Sequence, residues 1–403
     1  MVAGVGASDS GSTAELRFRR RSCLRVHRYV RGLVRPGRKE MRGMANNSQW
    51  KSELSAILRQ HNEGHAVRDK DVSFNTRHAR RQGLFRIFGL LRAMGFQLTP
   101  RNLCARHIAA LMSYWTAQAM SRNGKNPCRN MPHWPTTPYS AAYIQQQLSF
   151  LRAFARWIGK DGLVLAAERY VESSDFVRRS YCATADKSWI GHAVDAKAKV
   201  AQLRSIDVHV AVQLQMMMAF GLRRKEAVMF SPLAAEVPLH ALPEAHRAES
   251  RYLAFLRIKR GTKGGRLRFA AVRTDEQREA LAAAESITRG KRGHIGRPGL
   301  TLKQSLDLFS NVVRQVGLTR NELGVTPHGL RHEFAGDLYF DIARVKAPIQ
   351  DGEPLIDAAM MRDAYRQVAR QLGHNRPQIS NAYLGSPRVR RSPVSEPIGE
   401  ART

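Results

Sequence analysis

The 403-residue sequence lacks the features that mark membrane-spanning and disulfide-stabilised proteins. It has no run of about 18 apolar residues free of charge, which excludes a transmembrane helix. Its cysteines, Cys23, Cys104, Cys128 and Cys182, lie far apart and form no CxxC pair. Neither a zinc ribbon nor a disulfide framework is therefore expected. We expect a protein of the reducing cytoplasm.

Acidic residues are also scarce: 33 Asp and Glu stand against 66 Lys and Arg, which gives a net charge of +33. So large an excess is self-repulsive, and this predicts a polyanionic partner. Nucleic acid fits better than an anionic membrane, because the basic residues run through the whole chain instead of along the rim of one amphipathic helix. The 43% hydrophobic content is that of a globular protein.

Changes in composition along the chain predict five segments. Residues 1–44 form a basic tail, which we expect to be disordered and which lacks the apolar core of a secretory signal. Residues 45–160 follow a helical pattern and residues 161–195 form a polar linker. A second domain covers 196–388, and residues 389–403 form a C-terminal tail that we also expect to be disordered.

The first domain is predicted to be a small helical bundle with basic faces. Its clearest apolar stripe repeats every three or four residues, through Leu84, Ile87, Phe88, Leu91 and Met94. A second helix is predicted to begin at Thr99-Pro100 and a third to be capped by Ser140. Five arginines accompany the first stripe as candidate DNA contacts, or alternatively as a solvated face: Arg77, Arg80, Arg81, Arg86 and Arg92.

The second domain combines helices with one predicted β-hairpin. Residues 252–258 and 267–272 read as strands, and the glycine-rich turn around Gly264 joins them. The chain after about residue 300 follows a helical pattern until a tail begins near Ser386. The sequence as a whole therefore predicts a mainly α fold with a small antiparallel β-sheet, of the α+β class.

Three clusters in this domain carry residues suited to phosphate chemistry. The first is the segment 220–226, Phe-Gly-Leu-Arg-Arg-Lys-Glu, in which the glycine suggests a helix end. The second is 326–333, Thr-Pro-His-Gly-Leu-Arg-His-Glu, where Thr-Pro predicts a helix start that places His328 and Arg331 on one face. The third is 371–374, Gln-Leu-Gly-His, followed nine residues later by Tyr383.

A metal site is the alternative for the second cluster. His328 and His332 stand at positions i and i+4, a spacing that can ligate zinc. The sequence has no HExxH pattern, however, and Arg331 between the two histidines would repel a cation. We therefore predict no metal.

The motifs GLRxxE, HxLRH and LGH with its tyrosine occur in this order. With them, the sequence resembles the tyrosine recombinase (phage integrase) family over about residues 196–388. The resemblance implies a helical SAM-like core-binding domain followed by a DNA breaking-rejoining catalytic domain. It assigns catalytic roles to six residues and a supporting role to Glu226. The six are Arg223, Lys263, His328, Arg331, His374 and, as nucleophile, Tyr383. Lys259 is the second candidate for the lysine.

The same resemblance implies the reaction and its partners. A site-specific recombinase would cleave and rejoin double-stranded DNA through a covalent 3′-phosphotyrosine, without a cofactor. It would act as a homotetramer on two DNA sites, be a monomer free in solution and lie with the nucleoid. Integration or excision of a mobile element is the expected task. The alternatives are a catalytically inactive DNA-binding relative and a type IB topoisomerase-like relaxation of strands.

Two positions depart from the family pattern. Arg331 and His374 are farther apart than in a minimal member, and residues 345–354 form the expected insertion. Phe220 stands where many members carry Thr or Ser. The insertion bears on the helix register before His374, whereas we expect little functional cost from Phe220.

Overall fold

The computed structural model describes residues 38–65, 70–117, 134–247, 251–350 and 357–386, with side chains from residue 49 onward. Its contacts divide the chain into two compact units, Met1–Arg178 and Arg179–Thr403, called unit 1 and unit 2 here. Unit 2 contains a small antiparallel sheet, and the described residues are otherwise mainly helical. The predicted α+β class is confirmed. None of the helices in the described ranges is both long and apolar enough to cross a bilayer.

Unit 1 is a helical bundle. Its four helices are α1 (Arg38–His61), α2 (Phe74–Ala93), α3 (Ala105–Trp115) and α4 (Ala141–Trp157). The predicted stripe of α2, from Leu84 to Met94, is buried against the other helices. Ser140 caps α4 as predicted, since its hydroxyl accepts a hydrogen bond from the Tyr143 amide at 3.3 Å.

Two boundaries in unit 1 differ from the sequence prediction. Helix α1 begins at Arg38, inside the segment assigned to the tail; its lysine, glutamate, methionine and arginine residues favour helix. The helix predicted from Thr99-Pro100 is a short 3₁₀ turn, Pro100–Asn102. Helix α3 then starts separately, because the His107 ring accepts a hydrogen bond from the backbone N–H of Cys104 at 3.1 Å. Residues 1–37 and 387–403 lie outside the described residues.

Unit 2 consists of nine helices and three strands among its described residues. The helices before the sheet's central strand are α5 (Ala196–Arg204), α6 (Val208–Phe220), α7 (Arg224–Val228) and α8 (Glu244–Arg247). Those after it are α9 (Asp275–Ser286), α10 (Leu302–Gln315), α11 (Gly329–Ala343), α12 (Ala358–Gln371) and α13 (Asn381–Leu384). The strands are β1 (Glu236–Pro238), β2 (Ala254–Ile258) and β3 (Arg268–Ala271).

The sheet has the order β1-β2-β3, and both pairs are antiparallel. In the central strand, Leu256 pairs with Glu236 on one side and with Ala270 on the other. The predicted hairpin is thus present as β2 and β3, whereas β1, with three residues, is too short to show an alternating pattern.

Helices α6 and α11 form the centre of unit 2. Both are buried on most sides; this is expected for α6, which is apolar nearly all round, whereas α11 also carries charged residues. Helix α6 packs against α5, α9 and α11, and α11 also packs against α12 and α13. Polar side chains on α11 therefore lie inside the protein, where they need partners.

The predicted linker, 161–195, is divided between the two units. Ala167 and Val177 are buried in the core of unit 1, while Trp189 is fully buried in the core of unit 2. The packed part of unit 2 therefore begins before the predicted boundary at 196. The polar composition of the segment predicts a linker, because composition does not reveal single buried residues.

Candidate active site

A fully buried carboxylate, that of Glu226, lies at the centre of the site. Its oxygens accept hydrogen bonds from Arg223 Nη1 at 2.5 Å and from Arg268 Nη2 at 2.8 Å. Arg331 Nη1 lies 3.9 Å from the same carboxylate. Burial alone would raise the pKa of Glu226, but Arg268, Arg331 and Arg223 together lower it to about 2. The carboxylate is thus a permanent anion that holds three guanidinium groups together.

The turn between α6 and α7 positions Arg223. Helix α6 ends at Gly221, whose left-handed backbone (φ +56°) is unfavourable for other residues. Arg223 follows as the cap of α7, and its backbone N–H donates to the Glu226 carboxylate at 3.0 Å. The Arg223 side chain remains 23% exposed, so part of its guanidinium faces solvent.

Arg331 occupies a different position, fully buried within α11. Its two terminal nitrogens donate to the carbonyl oxygens of Gly221 and Leu372. Its Nε donates to the hydroxyl of Tyr383 at 3.3 Å. These contacts join the end of α6, the end of α12 and the tyrosine on α13 through a single side chain.

Tyr383 lies on α13 with only 8% of its surface exposed. Its hydroxyl is 3.4 Å from His374 Nε2, and His374 Nε2 is 3.5 Å from Arg331 Nη2. The rings of His332 and His328 lie 4.8 Å and 6.3 Å from the tyrosine ring, measured between centroids. Residues from the second and third sequence motifs therefore meet around one phenol.

All three histidines near Tyr383 are neutral at pH 7. Burial, followed by the charges of Arg331 and Arg223, lowers the pKa of His328 and of His374 to about 4. Burial and the neighbouring His328 lower the pKa of His332 to about 4 as well. His328 as a residue is nonetheless exposed, so it can reach a bound ligand. It directly precedes α11, whose first residue, Gly329, lies two residues after the predicted first-turn Pro327.

The predicted lysine, Lys263, is exposed in the turn after β2, as is its alternative Lys259. Between them, Gly261 has a left-handed backbone (φ +77°), and a Cβ there would lie 2.5 Å from the Lys225 carbonyl oxygen. The turn is therefore packed directly against α7, beside Glu226. Both lysines are held near the site by this close approach.

Sequence reasoning missed Arg268, the first residue of β3. Its side chain is buried and donates to the Gln371 carbonyl oxygen at 2.5 Å as well as to Glu226. The available signal was a single arginine beside the apolar run Phe-Ala-Ala-Val, where a charge needs a buried partner. Gly373 leaves room for it, since a Cβ there would lie 2.8 Å from Arg268 Cδ.

The five predicted DNA-contacting arginines of unit 1 occupy different environments. Arg81 and Arg86 are exposed. Arg80 is buried, bonds Asn62 Oδ1 at 3.3 Å and lies over the Trp157 ring at 5.2 Å. Arg77 pairs with a glutamate at 2.6 Å, and Arg92 bonds Gln97 at 3.2 Å. A DNA role stays a prediction that Arg81 and Arg86 are best placed to fulfil.

Within the described part of the chain, no group of three or more His, Cys, Asp or Glu residues is arranged to hold a metal ion. His328 and His332 are in contact, edge to face, with centroids 5.5 Å apart.

Residues 181–337 match the family model described as integrase. Over this range, unit 2 is similar to the integrase family. The matched range contains Arg223, Lys263, His328 and Arg331, and it ends before His374 and Tyr383. This match confirms the predicted resemblance to the integrase family over residues 181–337. Among proteins of curated function, none matches the chain at a significant level.

Two solved structures resemble this chain. One is the XerH site-specific recombinase bound to palindromic difH substrate, in a post-cleavage complex. It is 15% identical over 75% of this chain and 73% of that chain, with a TM-score of 0.40. The other is the Tn1549 transposon integrase in complex with circular intermediate DNA. It is 13% identical over 82% of this chain and 94% of that chain, also with a TM-score of 0.40.

Proposed function

We propose that this protein is a site-specific DNA recombinase that cleaves and rejoins strands through a covalent 3′-phosphotyrosine at Tyr383. The observation that carries the proposal is the position of the Tyr383 hydroxyl, within hydrogen-bonding range of Arg331 Nε and His374 Nε2. The integrase family match supports a role in DNA recombination.

The first step is attack by the tyrosine oxygen on phosphorus. A free phenol has a pKa of about 10 and is a weak nucleophile at pH 7. The Arg331 Nε–H stabilises the phenolate by direct donation. The phenolic proton passes to neutral His374, whose basicity increases when the phosphate anion binds beside it.

The second requirement is stabilisation of the pentacoordinate transition state, whose equatorial oxygens carry the additional charge. Arg223 is the cation best placed for this, because Glu226 holds one side of its guanidinium while another part faces solvent. A planar fork of this kind matches two phosphate oxygens. His328, partly open to solvent, supplies a further donor.

The third requirement is a proton for the leaving oxygen. As the Tyr383 oxygen–phosphorus bond forms, the bond from phosphorus to the 5′-oxygen breaks, and this oxygen takes a proton from Lys263. Lys259 is the second candidate for this role. Because the ester bond is exchanged instead of hydrolysed, attack by a 5′-hydroxyl reverses the reaction and rejoins a strand without ATP.

Double-stranded DNA is the proposed partner. The net charge of +33 favours a polyanion, and both solved structures that resemble the chain are DNA complexes by their descriptions. We further propose a monomer in solution that forms a homotetramer on two DNA sites, in association with the nucleoid. Integration or excision of a mobile element is the proposed task.

Covalent trapping tests the proposal. Nicked suicide duplexes that tile the DNA flanking the gene are incubated with the full chain, and adducts are resolved on denaturing gels. We expect an adduct with the wild type and none with Tyr383→Phe. The matched control, Tyr181→Phe, alters an exposed tyrosine of unit 2 and should leave the adduct unchanged.

The outcomes separate the alternatives. An adduct that persists in Tyr383→Phe excludes this nucleophile. DNA binding without an adduct on any duplex indicates a catalytically inactive relative. Adduct formation with plasmid relaxation but no strand exchange indicates a topoisomerase-like activity. Sequencing the trapped DNA identifies the recognised site.

A further inference from the structure

The segment Asp186–His192 lies beside the site but has no role in the mechanism above. It is folded on itself: the Asp186 carboxylate accepts hydrogen bonds from the Ser188 amide at 2.8 Å and from its hydroxyl at 2.9 Å. The Ser188 hydroxyl in turn accepts from the Gly191 amide at 3.1 Å. These bonds fix the backbone on both sides of Lys187.

The same segment is attached to the start of α11, next to His328. The Trp189 indole N–H donates to the Thr326 carbonyl oxygen at 2.8 Å. The buried Glu333 carboxylate accepts from the Trp189 amide at 3.0 Å and from the Ile190 amide at 3.2 Å. A Cβ at Gly329 would overlap the Lys187 carbonyl oxygen, so the two backbones are in direct contact. The Lys187 backbone thereby contacts Gly329, the residue that follows His328.

The Lys187 side chain, in contrast to its backbone, is exposed. Its charge acts on the site, because it lowers the pKa of both His328 and His332, after the larger effect of burial. Among the described residues, Lys187 forms no ion pair or side-chain hydrogen bond. Lys187 adds a third positive charge to those of Arg331 and Arg223 around His328, and a bound anion would relieve the repulsion among these cations.

We propose that Lys187 is a further substrate-binding residue of this active site, whose ammonium contacts a non-bridging oxygen of the scissile phosphodiester. Asp186, Ser188, Trp189 and Glu333 are then positioning residues, since they hold the Lys187 backbone against α11. This inference rests on the proposed function and deepens it.

Charge compensation in the substrate provides the test. The trapped duplex is prepared with either an ordinary scissile phosphodiester or a neutral methylphosphonate, which lacks one anionic oxygen. On the phosphodiester, Lys187→Met should slow adduct formation by about 10-fold or more. On the methylphosphonate, its rate should approach that of the wild type, because the charge that Lys187 neutralises is absent.

Two further variants serve as controls. Lys187→Arg retains the charge and should retain most of the rate on the phosphodiester. Lys197→Met alters another exposed lysine of unit 2, on α5, and should behave as the wild type on both substrates. Thermal melting should be unchanged in Lys187→Met, since the side chain is exposed.

Three results would overturn the inference. A wild-type rate for Lys187→Met on the phosphodiester removes the contact while leaving the proposed function intact. An equal loss on both substrates, or a lowered melting temperature, shows that Lys187 acts through structure instead of charge. Absence of any adduct with the wild type overturns the proposed function itself, and the role of Lys187 with it.

Discussion

Arginine serves opposite purposes in the two units. In unit 2, Arg331 and Arg268 are fully buried, and each donates to backbone carbonyls as well as lying at the Glu226 carboxylate. In unit 1, Arg81 and Arg86 on α2 are exposed. A buried charge is costly unless it is paired, so the buried arginines indicate a site with fixed partners. The exposed arginines contribute mainly to the positive electrostatic potential of the protein.

Arg80 shows that the difference is not simply one between units. It lies on the same helix as Arg81, yet it is buried against Asn62 and Trp157. Position on the helix face therefore decides which arginines pack inside unit 1 and which are exposed and available for the predicted DNA contacts.

The largest expected effect is loss of stability on removal of a buried arginine. Arg268→Met leaves Glu226 with fewer partners in a dry environment, and we expect the free energy of unfolding to fall by about 3 kcal/mol. Urea denaturation measures the change. Arg266→Met, at an exposed position two residues earlier, should have little effect. Equal stability of the two variants would contradict the contrast between buried and exposed arginines.

The next effect concerns pH. A histidine whose pKa is lowered in the folded state favours unfolding as the pH falls, because the unfolded chain binds the proton first. The contribution of neutral His332 to the free energy of unfolding is fully present above about pH 6.5 and is lost as the pH falls towards 4. Between pH 7 and 5, the free energy of unfolding of His332→Phe should therefore fall by about 1.8 kcal/mol less than that of the wild type.

Urea denaturation at the two pH values checks this expectation. The control is Gln82→Phe, at an exposed position of unit 1, which removes no titratable group and should keep the wild-type pH dependence. A pH dependence of His332→Phe equal to that of the wild type would show that His332 already binds a proton in the folded protein near pH 6.

The smallest effect is expected at the surface of unit 1. If Arg81 and Arg86 contact phosphates, replacing both with alanine should reduce the salt dependence of DNA binding by about 2 in the log–log slope. The melting temperature should not change. Arg80→Ala, in contrast, should lower the melting temperature, because Arg80 is buried, and should change the slope little. A fluorescence anisotropy titration at several salt concentrations distinguishes the two patterns.

Much of the candidate site could be predicted, because its motifs are short and local. The predicted residues Arg223, Arg331, His374 and Tyr383 lie together in the structure through contacts that span from 9 to 110 residues. Amphipathic stripes predicted the core of unit 1 equally well, from Leu84 to Met94. Both signals depend on spacing within one element.

The remainder depends on contacts between distant segments, which spacing does not reveal. In the sequence, Arg268 is a single arginine in a predicted strand, and only the fold shows that it bonds Glu226 and Gln371. Lys187 and Trp189 lie in a polar stretch, and only the fold places them against Thr326 and Glu333. For the same reason, the sequence could not distinguish buried Arg80 from exposed Arg81.

Gly221 has a consequence that reaches beyond the end of α6. Its left-handed conformation turns its own carbonyl oxygen inward, where Arg331 takes it up, and a Cβ there would lie 2.6 Å from the Phe334 ring. One residue without a side chain thus both ends a helix and directs an acceptor at Arg331. Any larger residue would misalign two elements at once, so the geometry of the candidate site is tied to the smallest amino acid in the chain.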